Sequence, residues 1–260
     1  LSGDLSLGAN TLHLRGGGTG LVSGVISGTG ANAITKPDPG HWTVSGENTF
    51  TGRVTVNNGT LKLGAANTLS PAVPLTVAGG TLDLSGFTVT NGGLALSGGA
   101  VSNGTLYATG ANAVSGGALL VPLAGPAGLT KNGGGAFVLS VSNDYAGTTT
   151  VAAGTLQIVR RTSLYGGDTA QWTDAKIVVN SGALLALNVG GAGEFTADDL
   201  GILAGLGSAG GGFKSGSLLG LDTANAAGGA FAYPSVLGNP GGNKLGLQKI
   251  GPGTLALGDA

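Results

Sequence analysis

The acidic, basic and imidazole side chains that could do chemistry are thinly spread along this chain. Its 260 residues hold 12 Asp and Glu, 11 Lys and Arg, two His and no Cys. The nearest acidic pairs are Asp168 with Asp174, and Asp198 with Asp199. Paired carboxylates could cleave a polysaccharide, one as general acid and the other ionised across the same bond. Asp198 and Asp199 are adjacent on a predicted helix and point roughly 100° apart, so favouring its positive end explains them better. Asp168 and Asp174 share an irregular stretch with Arg160 and Arg161 and have no His beside them, which reads as a solvated loop. His13 lies between Leu12 and Leu14, so strand alternation turns it to the opposite face, beside Arg15. His41 adjoins Trp42 with no Ser and acid around it. Gly190-Gly191-Ala192-Gly193-Glu194-Phe195 is an isolated near miss of a calcium-binding repeat that works only in tandem. No Gly-Lys pair exists for a phosphate loop, and without Cys there is no thiolate metal site and no disulfide. The residues therefore assign no catalytic, cofactor-binding or metal site, no cofactor and no enzymatic activity.

The elements that would carry any site are short strands. Gly is 55 of 260 residues without a three-residue period, and 41% of residues are hydrophobic, which excludes both collagen and a disordered tract. Apolar triplets broken by Gly, Asn, Ser and Thr corners remain, an all-β pattern. Leu129–Ile158 repeats Ile34–Leu63 without a gap, 95 residues on. Lys36 falls on Lys131, Trp42 on Phe137, Asn48 on Asn143, Phe50 on Tyr145, and Gly59-Thr60-Leu61 on Gly154-Thr155-Leu156. A truncated third copy opens at Leu247 and runs to Leu257. A finer period is visible where Val54-Thr55-Val56 returns 21 residues later as Leu75-Thr76-Val77. Such periods mark a stacked solenoid. The expected fold is a parallel β-helix of about a dozen coils roughly 4.8 Å apart, forming one segment over 1–260. Val159–Leu206 breaks the pattern as an irregular excursion and holds one short helix near 196–206. Thr196 caps that helix, and Leu200, Leu203 and Leu206 share the face that lies against the solenoid.

Further features bear on architecture and class. Asn58-Gly59-Thr60 and Asn103-Gly104-Thr105 are formal glycosylation acceptors, and a turn explains them better. The Thr of Val54-Thr55-Val56, Leu75-Thr76-Val77, Phe87-Thr88-Val89 and Thr148-Thr149-Thr150 could form an outward ladder able to bind ice or glycans; Thr is also a good outward strand residue. Leu84–Thr130 is uncharged, but its apolar run Gly117–Leu129 contains two prolines and is too short for a membrane helix. A net charge of −1 gives no footprint for nucleic acid. The absence of Met points to a processed piece or fragment.

The two full copies resemble the autotransporter-associated β-strand repeat, also called the passenger-associated transport repeat. The resemblance rests on Leu129-Thr130-Lys131, Asn143-Asp144-Tyr145-Ala146-Gly147 and Gly154-Thr155-Leu156, with Ile34-Thr35-Lys36, Asn48-Thr49-Phe50-Thr51-Gly52 and Gly59-Thr60-Leu61 as counterparts. Copy one departs from the pattern at Pro37-Asp38-Pro39 and Arg53. The resemblance implies a right-handed parallel β-helix in large secreted or surface-displayed proteins of Gram-negative bacteria, and it brings no catalytic residues. The expected role is a structural extracellular stalk or fibre, partnered at its coil ends by further repeats or neighbouring copies. The alternatives are an adhesin that binds surface glycans through the excursion and, third, a polysaccharide-cleaving enzyme.

Overall fold

Triplets such as Val-Thr-Val turn two side chains to one side of a strand and one to the other. In the computed structural model, which describes residues 1–258, the inward members stack rung upon rung. The fold is a parallel β-solenoid of about 12 turns with one short α-helix, Ala197–Ala204. The chain divides into two units, Leu1–Gly128 and Leu129–Ala260.

In the first unit, one face is the ladder Leu12–His13, Asn32–Lys36, Arg53–Val56, Leu75–Val77, Leu94–Leu96 and Asn112–Val114. Its inner columns run Ile34, Val54, Leu75, Leu94 and Lys36, Val56, Val77, Leu96, Val114, so Val56 rests directly on Val77. A second face stacks Trp42, Leu61, Leu82, Val101 and Leu119. Trp42 also covers Gly20, where an added Cβ would lie 2.5 Å from the indole. The third face is a ladder at Leu5–Ser6 with Ile26–Ser27 and again at Thr88–Asn91, Thr105–Ala108 and Leu123–Gly125; the two turns between cross it as irregular loops. Pro71 and Pro74 lie in the longer of those loops and have no N–H to give a ladder.

The second unit repeats the scheme. Lys131, Val151, Val179 and Phe213 form one inner column, and Phe137, Leu156, Leu185, Leu219 and Leu247 another. Inside the irregular stretch the chain rejoins these ladders at Ile177–Val179 and Leu184–Asn188. Between them and the preceding strand it makes three single 3₁₀ turns, Arg161–Ser163, Tyr165–Gly167 and Thr169–Gln171. The helix begins at a reciprocal cap: Thr196 Oγ1 accepts from Asp199 N, and Asp199 Oδ2 accepts from Thr196 N. Its Leu200 and Leu203 are fully buried, and Leu206 is half-buried just beyond its end. An isolated antiparallel bridge joins Gly207 to Gly212.

Asn-Gly and Ala-Gly corners set the spacing of the two repeat copies. Gly59 and Gly154 both have left-handed φ, +63° and +67°. A Cβ on Gly154 would also lie 2.4 Å from the carbonyl oxygens of Gly133 and Gly135 in the turn beneath. Gly154→Ala is therefore expected to lower the free energy of unfolding by more than about 2 kcal/mol, conformational cost and clash together. Gly134→Ala, with nothing within 4 Å of the new carbon, should stay within about 0.5 kcal/mol of wild type. Urea midpoints of the two variants check this.

Candidate functional site

The residues with catalytic potential do not meet. His13 is outward on the first face, paired with Thr35, while His41 is outward on the second, paired with Thr19 and Thr60. Asp168 is exposed and caps a 3₁₀ turn by accepting from Ala170 N at 3.0 Å. Asp198 is exposed at the helix start. Asp199 is buried and ion-paired to Arg161 Nε at 3.0 Å, and the Arg161 guanidinium lies 5.2 Å from the centre of the Trp172 ring. In the glycine-rich near miss, the Glu194 carboxylate accepts from Gly191 N at 2.9 Å and Asn225 Nδ2 at 2.8 Å, so the chain's own donors occupy it. Among the described residues, no three His, Asp or Glu side chains converge as metal ligands. Asn103 has the left-handed φ of +58° that its turn requires, and its amide donates to Asp83. Thr35, Thr55 and Thr76 stack as an outward ladder of the first face, whereas Thr88 pairs with Thr105 on the third.

Polar side chains do converge inside the corners. Ile34-Thr35-Lys36 alternates, so Lys36 points inward with Ile34; Lys131 follows Leu129 in the same way, and both lysines are fully buried. Lys131 Nζ donates to the carbonyls of Asn132 at 2.6 Å, Gly133 at 2.7 Å and, one turn on, Ala153 at 3.1 Å. Lys36 Nζ donates to the Asp38 carbonyl. The lysine carbonyls mirror this: that of Lys36 accepts from Asn57 and Asn58, that of Lys131 from Ala152 and Ala153. Burial pushes both ammonium pKa values down, opposed at Lys36 by the carboxylate of Asp38. Asn48 works across three turns, accepting from Ile26 N at 2.7 Å and donating to the Thr68 carbonyl at 2.8 Å. Asn143 donates to the carbonyls of Val141 and Ser163. A groove of about 490 Å³ opens on the third face of the first unit, against Glu47, Asn67 and Thr88.

Residues 34–63 and 129–158 both match the family model of the passenger-associated-transport-repeat. The chain carries two such repeats. The adhesin BmaC autotransporter of Brucella suis biovar 1 (strain 1330) is 34% identical to it over 151 residues, 58% of this chain. The chain spans 4% of that relative's length. No solved structure matches. These matches support an extracellular or cell-surface location in a Gram-negative bacterium. No helix among the described residues is long and apolar enough to cross a membrane.

The residues that recur between the repeats are mostly interior. Phe50 and Tyr145 are at most 1% exposed, as is Phe137, while its counterpart Trp42 is half-buried. The Tyr145 hydroxyl lies 2.7 Å from Thr149 Oγ1, and the Tyr165 hydroxyl accepts from Thr149 N at 2.9 Å while facing the Lys176 and Gly147 carbonyls. The corner role of the lysines was missed from sequence, although their parity with Ile34 and Leu129 was its signal. The truncated third copy keeps the lysine contact, Lys249 Nζ donating to the Ile250 and Gly251 carbonyls, but its strand Leu245–Ile250 pairs with Ser217–Asp222. That ladder carries the second strand of the preceding full repeat rather than the first, so the lysine follows its glycine corner and not a particular face.

Lys131→Met orphans three carbonyls and should lower stability by about 1–3 kcal/mol. Lys249→Met, at an exposed lysine, should change it by less than about 0.5 kcal/mol in the same urea titration. Burial raises the phenol pKa values of Tyr145 and Tyr165, Tyr165 adding to the rise at Tyr145 and Thr149 offsetting part of both. The unfolded chain then releases these protons first, so from about pH 10 upward the two phenols make stability fall as pH rises. Tyr145→Phe should cost about 1 kcal/mol at pH 7 for the lost hydroxyl contact and show a shallower alkaline fall, measured by denaturation at stepped pH.

Proposed function

We propose that this chain is a non-enzymatic, load-carrying spacer of a surface passenger, a stalk or fibre segment that continues through further repeats of the same kind. The observation carrying this reading is where the recurring polar residues go. Lys36, Lys131, Asn48 and Asn143 are turned inward, and Lys131, Asn48 and Asn143 tie one turn to the next while Lys36 closes its own corner. A binding or catalytic repeat would instead keep its recurring polar groups toward solvent. Parallel ladders closed by such clips leave few mobile backbone segments for a protease to enter.

An adhesin-like role is the second reading, supported by the name of the similar Brucella protein. The excursion considered from sequence as its binding loop uses Arg161, Asp199 and Trp172 in its own packing. Two variants of a passenger on bacteria separate the readings, one with this segment deleted in frame and one with it replaced by a repeat solenoid of equal turn number and unrelated surface. The spacer role expects the replacement to restore the distance of a distal epitope from the cell, together with protease resistance and cell adhesion. Loss of adhesion with the distance restored would overturn it in favour of adhesion. Turnover of any acidic polysaccharide that is abolished by Asp168→Ala or Asp174→Ala would overturn the non-enzymatic assignment.

A further inference from the structure

The groove on the third face differs in kind from the corners. We propose that it is a binding site for a neutral carbohydrate chain, with Tyr107 as the stacking platform. This goes beyond the spacer role, and neither assignment needs the other.

The groove exists because of the loop that contains Pro71. Where later turns lay a strand on the third face, this loop swings out and leaves one side of Thr88–Asn91 facing a concavity of about 490 Å³, a size typical of small-molecule sites. Its wall is fixed in place. Thr68 Oγ1 donates to the Ala65 carbonyl at 2.7 Å and accepts from Ala65 N, Asn48 holds the Thr68 carbonyl, and Val73 N donates to the Ser70 carbonyl. A preformed wall lowers the ordering cost of binding.

The chemistry of the lining selects the ligand. Glu47, Asn67, Ser70, Thr88 and Thr90 offer a carboxylate, an amide and three hydroxyls, and none of these side chains hydrogen-bonds another described residue. Such groups pair with ligand hydroxyls, which both donate and accept. Thr90 is the rung partner of Tyr107 on the next turn, roughly 4.8 Å away, and Tyr107 is 41% exposed. An exposed ring beside free hydroxyls suits the apolar face and polar rim of a sugar. Charge excludes the anionic alternatives. No Lys or Arg occurs between Lys62 and Lys131, and the groove's own charge is the carboxylate of Glu47. Uronates, sulfated glycans and nucleic acids would meet repulsion without a counter-charge.

The test is calorimetric titration of the whole chain with a panel of neutral oligosaccharides, namely hexamers of cellulose, chitin, mannan and amylose. An oligogalacturonate and a Thr- and Asn-rich decapeptide run alongside. At least one neutral hexamer should bind with a Kd below about 1 mM. Tyr107→Ala and Asn67→Ala should each weaken it about tenfold, the equivalent of one stacking or bidentate contact at 1.4 kcal/mol. Tyr107→Phe, which keeps the ring, should stay within about threefold. Both side chains are exposed, and unchanged circular dichroism verifies the fold. Binding of none of the neutral hexamers, preference for the oligogalacturonate or the peptide, or equal affinity in Tyr107→Ala and Asn67→Ala would each overturn the assignment.

Discussion

Backbone carbonyls at the corners of a solenoid are the constraint on which this structure depends. Along a strand, N–H and C=O groups find partners one rung above and below. At a corner the chain turns too tightly for that, and buried carbonyls left alone are costly. The repeat answers with a lysine placed inside. Its long apolar stem continues the Val and Leu column, as Lys36 does above Val56 and Lys131 beside Val151. Its ammonium then closes the carbonyls of the bend. A charge in the core is tolerated because backbone oxygens meet it, and the residual cost of removing it from water pushes both ammonium pKa values down.

The asparagines answer the same problem where strands give way to loops. Asn48 bonds the turns on either side of its own, so a stretch with no ladder of its own is still tied in register. That tie also shapes the outside. By holding Thr68, it fixes the loop that walls the third-face groove. The interior clip and the exterior concavity are thus two consequences of one amide. The second unit uses heavier means in the corresponding work, with Tyr145, Thr149 and Tyr165 joined through hydroxyls and Trp172 packed 5.6 Å from Phe195. These aromatics pin the excursion to the solenoid, and Arg161 and Asp199 pair beside Trp172 in that packing.

Much of this was legible in the residues. The Val54-Thr55-Val56 and Leu75-Thr76-Val77 echo gave the rung pairing, the Thr196 cap and Leu200 and Leu203 gave the helix and its buried face, and Asn103-Gly104 gave a turn. Those signals are local, because alternation and turn chemistry depend on neighbours in sequence. Less legible were the strands at 177–179 and 184–188, since the long insertion before them breaks the period that identifies the others. The change of ladder by the third copy was also hidden. Sequence similarity tracks a strand and its corner, whereas the face that strand occupies depends on the lengths of all the loops before it.

By itself the sequence determined that the chain coils, where it bends, and which side chains point inward, because a period of two within strands and a recurring glycine corner leave no other way to bury the apolar set. Only the tertiary structure decided what meets what. Lys131 and Ala153, Asn48 with Ile26 and Thr68, Arg161 and Asp199, and Thr90 with Tyr107 are separated by 17 to 38 residues. Each is brought together by the stacking of one turn on another, a contact whose partner no local pattern names.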